Sequence, residues 1–336
     1  MLEHGGRLRR AAREHGIALE QWLDLSTGIS PFAWPVSPVP ASAWQRLPED
    51  DDGLIDAARD YYRAPSLLPV AGSQAAIQAL PRLRAASSRV GVIAPGYAEH
   101  AHAWRQAGHA VETLPAARLL DEAERFDVVV LIHPNNPGGE RFRHDELLGL
   151  HARLAARGGW LIVDEAFIDT TPERSLCPHS GRDGLVVLRS VGKFFGLAGA
   201  RAGFVCAAPA LLDMLRESLG PWTLTGPGRH VLRHAFADRE WHAVARQRLI
   251  MAGERLQQLL DRNGLGDGAG CDFFQWRRHP HAPALHRALA RRGILTRLFE
   301  ADGHTPASLR FGLPPDADAF DRLGAALGEV LCEVPA

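Results

Sequence analysis

The feature that most constrains this chain is an alternation in its middle. Short apolar runs rich in β-branched residues occur at 90–94 (VGVIA), 127–132 (DVVVLI), 160–163 (WLIV), 185–189 (LVVLR) and 203–206 (GFVC). Nearly continuous apolar character, rather than every second residue, belongs to strands covered on both faces. Helical patterns lie between them at 97–106, 145–157 and 209–219. Strand–helix alternation predicts an α/β fold with a mainly parallel sheet and right-handed crossovers. The ends read differently. An Arg-rich helix opens residues 1–44 and is followed by an irregular stretch with Pro31, Pro35, Pro38 and Pro40. A long helical stretch is predicted over 226–263, then an apolar segment (CDFFQW), a helix over 281–292 and a short strand (SLRFGL). At 336 residues the chain exceeds one typical domain length. The division expected is a large α/β domain over 45–225 and a smaller α+β lobe combining 1–44 with 226–336.

Composition removes several function classes. The 38 basic and 39 acidic residues leave a net charge of −1, without the broad positive footprint of a nucleic-acid binder. No run of 18 apolar residues suggests a membrane span, and MLEHGGRLRR lacks the apolar stretch of a secretory signal. Cys177, Cys206, Cys271 and Cys332 are too scattered for a disulfide scaffold or a CxxC metal site, so the cytoplasm is the expected compartment. His230 with His234, and His279 with His281, have metal-like spacing. No H-E-x-x-H or Cys/His cluster supports either pair, so they are read as surface or packing residues, with no metal expected.

Of the 38 basic residues, 37 are arginine and one, Lys193, is lysine. Arginine replaces lysine as a surface cation but not where a deprotonated amine must attack a carbonyl. Lys193 lies in S-V-G-K-F-F-G-L-A-G-A-R (190–201), directly after a predicted strand, where open α/β sheets bind ligands. Ser190 and Arg201 suit a phosphate, and the amine beside them suits an aldehyde anchored by that phosphate. The plain alternative is a surface lysine in a Gly-rich loop. S-x-x-K is also the nucleophile motif of Ser–Lys acyl hydrolases, but those require a second lysine that this chain lacks.

Other motifs also follow strands. WLIVDEAFID (160–169) ends an apolar strand in Asp164, whose carboxylate could hold a ring nitrogen protonated or simply belong to a solvated loop. HPNNPGG (133–139) is a turn in which the Asn136 amide could donate to a phenolate oxygen. In AGSQ (71–74), the amides of Ser73 and Gln74 could receive a phosphate at a helix start, or Ser73 could be an ordinary cap. In APGYAEH (94–100), Tyr97 could stack on a planar cofactor or be a core tyrosine.

The order of these motifs resembles that of pyridoxal-phosphate enzymes of the aspartate aminotransferase fold (fold type I), over essentially the whole chain. Within that superfamily it is similar to the histidinol-phosphate aminotransferase branch, and most similar to the threonine-phosphate decarboxylases of cobalamin biosynthesis. His4-Gly5-Gly6, DLSTGISP (24–31), DEAFID and PWTLTG (221–226) carry the closer likeness. The resemblance implies that Lys193 attaches the cofactor, Asp164 pairs with its ring nitrogen, Asn136 binds its phenolate oxygen and Tyr97 stacks on it. Ser73, Gln74, Ser190 and Arg201 would hold its phosphate. Arg310 would take the substrate carboxylate, with Arg297, His4, Gly5 and the segment around Gly28 at the other substrate anion. It implies O-phospho-L-threonine decarboxylation by a homodimer acting on a small phosphorylated amino acid. The rivals are an aminotransferase of histidinol phosphate and a catalytically silent binding module of the same fold.

The sequence departs from the branch pattern at four places. Phe167 stands where a tyrosine is common and Gly28 where an asparagine is expected. Leu47 replaces the tyrosine of an R-Y-P element, and AGSQAAI is shorter than the related loop. Phe167 has no phenol to donate, which leaves Asn136 alone at the cofactor oxygen.

Overall fold

The computed structural model describes residues 3–84, 87–265, 268–301 and 306–334. They form two compact units. The larger comprises Ala33–Asn135 and Glu140–Ala245; the smaller comprises Met1–Phe32, Asn136–Gly139 and Arg246–Ala336.

The larger unit is built on seven strands: β1 (Leu67–Val70), β2 (Arg89–Ile93), β3 (Ala110–Leu114), β4 (Val128–Ile132), β5 (Trp160–Asp164), β6 (Leu185–Ser190) and β7 (Gly203–Cys206). Their order is β1-β7-β6-β5-β4-β2-β3. Strands β2 to β6 pair in parallel, and β7 runs antiparallel to both β6 and β1. All five strands expected from apolar runs are present. The two not foreseen, β1 and β3, are the two edges. An edge strand is half covered or can carry proline, so it need not read as a continuous apolar run. Pro69 lies in β1, and its carbonyl accepts the Thr223 hydroxyl at 2.8 Å. Strand β3 is buried only at Leu114. In the core, Val90, Val92, Val128, Val130, Ile162, Val186, Leu188 and Val205 meet Trp104, Leu212 and Leu215 from the covering helices.

The long helical stretch is two helices, Gly226–Ala237 and Arg239–Arg262. Asp238 interrupts it. Its carboxylate accepts the Trp241 amide at 3.0 Å and the Trp34 indole N–H at 3.0 Å. A short acidic side chain that takes a backbone N–H competes with helix continuation. The same packing explains why the larger unit extends beyond the expected 45–225. Trp34 also donates its amide to the Phe195 carbonyl, and Arg229 pairs with Asp50 and Asp52. Residues 33–44 and 226–245 therefore group with the larger unit rather than with the lobe.

In the smaller unit, β8 (Gly268–Cys271), β9 (Phe274–Arg278), β10 (Arg297–Phe299) and β11 (Ser308–Gly312) form an antiparallel sheet in the order β10-β11-β9-β8. The apolar CDFFQW segment spans the β8–β9 hairpin. Leu23–Asp24 pairs in parallel with Ile294–Leu295. Gly139 crosses Gly270 so closely that a Cβ would lie 2.0 Å from the Gly270 carbonyl oxygen. That crossing holds 136–139 in this unit although both flanking segments belong to the other.

Candidate active site

In the larger unit the parallel strands bring several sequence motifs to one margin. Ile132 lies opposite Asp164, Asp164 opposite Leu188, Ser190 opposite Gly203, and Gly203 opposite Val70. The ends of β4, β5 and β6 thus align with the start of β7 and the end of β1. This is where open α/β sheets collect ligand-binding groups.

Lys193 sits on a one-turn helix, Val191–Phe194, immediately after β6. Phe194 and Phe195 are buried, and Phe195 stacks on Trp241 with centroids 5.5 Å apart. Phe194 meets Trp241 edge-on and Phe195 also contacts Tyr61 and Phe236. The K-F-F sequence therefore anchors the turn on an aromatic cluster and leaves the amine partly accessible. Lys193 Nζ lies 5.6 Å from the centroid of the Phe167 ring.

Asp164 is 4% exposed. One carboxylate oxygen accepts the Ala166 amide at 3.1 Å, and the other lies 2.9 Å from His100 Nε2. His100 is itself buried and was not foreseen as a site residue. His100 follows Tyr97 by three residues, and its amide donates to the Tyr97 carbonyl at 3.2 Å as the helix Glu99–Gln106 begins. Tyr97 is half-buried, donates to the Gln74 side-chain oxygen at 3.1 Å, and meets the His100 ring edge-on. Gln74 in turn donates to Glu99 at 2.9 Å. Burial, with Glu99 and Asp164 nearby, pushes the Tyr97 phenol up to about 12, so it stays neutral.

Gly72 precedes the helix Ser73–Ala79 with φ 76°, so Ser73 does not occupy the cap position. A Cβ at Gly72 would come within 3.0 Å of Arg201 Nη2, and one at Gly203 within 2.6 Å of the Ser73 amide nitrogen. Glycine is required at both crossings. Together they set Ser73, Ser190 and the exposed Arg201 along one seam. Behind the seam, Arg189 is buried and pairs with Glu165 at 2.8 Å and Asp169 at 2.7 Å. Tyr61 donates its hydroxyl to Asp169, and the Ser175 hydroxyl and Leu176 amide donate to Glu165. None of these three ionic residues was singled out from sequence. Burial raises the Glu165 carboxyl despite the arginine beside it.

The smaller unit gathers the remaining candidates. Arg310 is buried and donates to Asn136 Oδ1 at 2.5 Å and to the Ser26 carbonyl at 2.8 Å. Its Nε is buried without a partner. Burial, with Arg297 nearby, lowers this guanidinium to about 10, still charged at neutral pH. The Asn136 amide nitrogen is left as a donor. Arg297 faces Arg310 in the β10–β11 register and donates to the Glu3 carbonyl. His4, Gly5, Ser26, His286, Thr296 and Arg297 line a cavity of about 620 Å³. Gly28 is buried, and Leu47, in the larger unit, is exposed. Among the described residues there is no group of three or more metal-ligating side chains.

Comparison with known proteins places this arrangement among pyridoxal-phosphate aminotransferase folds of type I. The solved histidinol-phosphate aminotransferase of Sinorhizobium meliloti, in complex with pyridoxal-5'-phosphate, superposes with a TM-score of 0.84 at 20% identity, covering 99% of this chain and 96% of that one. The chain belongs to the aminotransferase class I and II family, whose model matches residues 51–326. It is 56% identical to the threonine-phosphate decarboxylase of Pseudomonas aeruginosa, over 97% of both chains. It is 41% identical to the threonine-phosphate decarboxylase of a Sinorhizobium species, over 97% of this chain and 98% of that one.

The larger unit's residues fit pyridoxal phosphate by their chemistry. The chain's one lysine suits the aldehyde. A buried carboxylate with its own imidazole partner suits a protonated ring nitrogen. Arg201, against a glycine cradle beside two serines, suits the phosphate, and Tyr97 offers a flat face. Replacing His100 by phenylalanine would leave one oxygen of the buried Asp164 without its partner. Leaving a buried acceptor unsatisfied costs about 1–3 kcal/mol, and more where it is charged. The expected result is a roughly tenfold fall in kcat with a shifted absorbance of the bound cofactor, read in one titration. Unchanged absorbance and rate would remove His100 from the site.

Proposed function

We propose that this protein decarboxylates O-phospho-L-threonine to (R)-1-aminopropan-2-yl phosphate with pyridoxal phosphate, making the aminopropanol linker of cobalamin. In this reading it works in the cytoplasm as a homodimer. The observation that carries the reading is the 56% identity to a threonine-phosphate decarboxylase across 97% of both chains.

When bound, pyridoxal phosphate supplies an electron-accepting ring conjugated to the substrate nitrogen. Asp164, oriented by His100, holds the proton on the ring nitrogen. Asn136 and Tyr97 orient the ring, and Ser73, Gln74, Ser190 and Arg201 hold its phosphate. Arg310 holds the substrate carboxylate, while Arg297, His4 and Gly5 hold the substrate phosphate. The clamp on the two anions would fix the orientation of the substrate and so select which bond at the α-carbon breaks. With the carboxylate held by Arg310, loss of carbon dioxide would be followed by a proton delivered from Lys193 Nζ to the α-carbon. Lys193 would also be the amine that holds the cofactor between turnovers.

The test measures carbon dioxide from O-phosphothreonine against 2-oxoglutarate-dependent transamination of histidinol phosphate. Stoichiometric 2-oxo acid without carbon dioxide would overturn the reading in favour of an aminotransferase. A second outcome is specific to Arg310. A hydrogen bond to a charged group is worth about 1.5–3 kcal/mol, so Arg310→Gln should raise KM for O-phosphothreonine about a hundredfold. Because Arg310 also holds Asn136, a shift of the bound-cofactor absorbance should accompany the rise in KM.

A further inference from the structure

Ser26 occupies a position in the smaller unit that none of the assigned contacts explains. The chain around it is pinned on both sides. Leu25 donates its amide to the Leu295 carbonyl at 2.8 Å and accepts the Gly312 amide at 2.7 Å. Ser26 is 2% exposed. Its hydroxyl donates to Asp24 Oδ1 at 2.6 Å, which uses the only hydrogen that the group has. Its lone pairs then face the Gly6 amide, which donates to it at 2.8 Å. The result is a directed relay from the Gly6 N–H through Ser26 Oγ to a carboxylate, the strong class of hydrogen bond.

The backbone of the same residue makes two further contacts. Its carbonyl accepts Arg310 Nη2 at 2.8 Å. Gly5 presses on this carbonyl so closely that a Cβ would stand 2.1 Å from the oxygen. Residues 5 and 6 are therefore seated on Ser26 from two directions, and Arg310 is held from a third. Arg297 holds the arm one step earlier, through the Glu3 carbonyl. His4 lies between these attachments, on the wall of the 620 Å³ cavity that Ser26 also lines.

We propose that Ser26 is a positioning residue that fixes the spacing between the two substrate-anion contacts. Its hydroxyl seats the arm bearing His4 and Gly5, and its carbonyl aims Arg310. It thereby selects substrates whose phosphate and carboxylate are separated as in a 3-phosphorylated amino acid. This rests on the proposed decarboxylase reading and adds a specificity determinant to it.

The test compares Ser26→Ala with the wild type on O-phosphothreonine and on threonine, which lacks the group the arm would meet. Losing the relay should raise KM for O-phosphothreonine about tenfold, the order of a hydrogen bond between partly charged partners. Threonine turnover and the bound-cofactor absorbance should not move. Ser26→Thr, which keeps the hydroxyl, should restore KM. Hydrogen exchange of residues 3–8 should slow when O-phosphothreonine binds the wild type, and not in Ser26→Ala. If Ser26→Ala does not fold, Asp24→Asn attacks the same relay at its acceptor end and should give the same selective loss. Equal losses on both substrates, or unchanged KM and exchange, would overturn the inference. Wild type that shows ligand-dependent exchange but releases no carbon dioxide would instead sink the decarboxylase reading and leave the role of Ser26 standing.

Discussion

Lys193→Ala should yield a folded, colourless protein whose carbon dioxide release falls about 10⁴-fold or more, the order expected when a nucleophile and proton carrier are both lost. The chain holds no second lysine to take over. Arginine and neutral histidine are not replacements, because neither offers a primary amine that can be freed of its proton. The fold should tolerate the change. The turn bearing Lys193 is anchored by the buried Phe194 and Phe195. A melting curve that matches the apo wild type checks this. Added methylamine should return part of the activity by supplying an external amine. Borohydride trapping followed by peptide mapping should label the peptide containing Lys193 in the wild type. An unlabelled Lys193, or a coloured and active Lys193→Ala, would sink the cofactor assignment.

The second large effect is on stability. Arg189→Met leaves Glu165 and Asp169 buried without their shared cation. Removing one partner from a buried ionic cluster costs about 3–5 kcal/mol, because the remaining charges lose their compensation. Urea unfolding should show a loss of that order. The triple change Arg189→Met, Glu165→Gln, Asp169→Asn should recover most of it, since the stranded charges are then gone. A strictly additive result would mean that the three residues do not act as a unit. The cluster also ties the ends of β5 and β6, one residue from Asp164 and one from Ser190. Cofactor affinity should therefore fall with stability in the single variant and return in the triple.

What could be read from the sequence follows from which physical signals are local. The five inner strands announced themselves because burial on both faces demands continuous apolar character. The edges did not, since Leu67–Val70 contains Pro69 and Ala110–Leu114 is mostly half-buried. The break at Asp238 was hidden because its partner Trp34 is distant in sequence. Lys193, Asp164 and Asn136 were legible as residue types at strand ends. His100 and Ser26 were not, because each matters through a partner brought near only by folding. The domain limits of 45–225 missed the packing of Trp34 and Arg229 for the same reason.

The β1 margin carries a consequence for how copies of this chain can associate. An open strand edge invites pairing with another molecule and, repeated, leads to aggregates. Here Pro69 contributes no amide hydrogen, and its carbonyl is already taken by Thr223. Growth of the seven-stranded sheet by adding a neighbour's strand is therefore disfavoured on that side. Association of copies at that edge would then run through side chains rather than through a shared ladder of backbone hydrogen bonds.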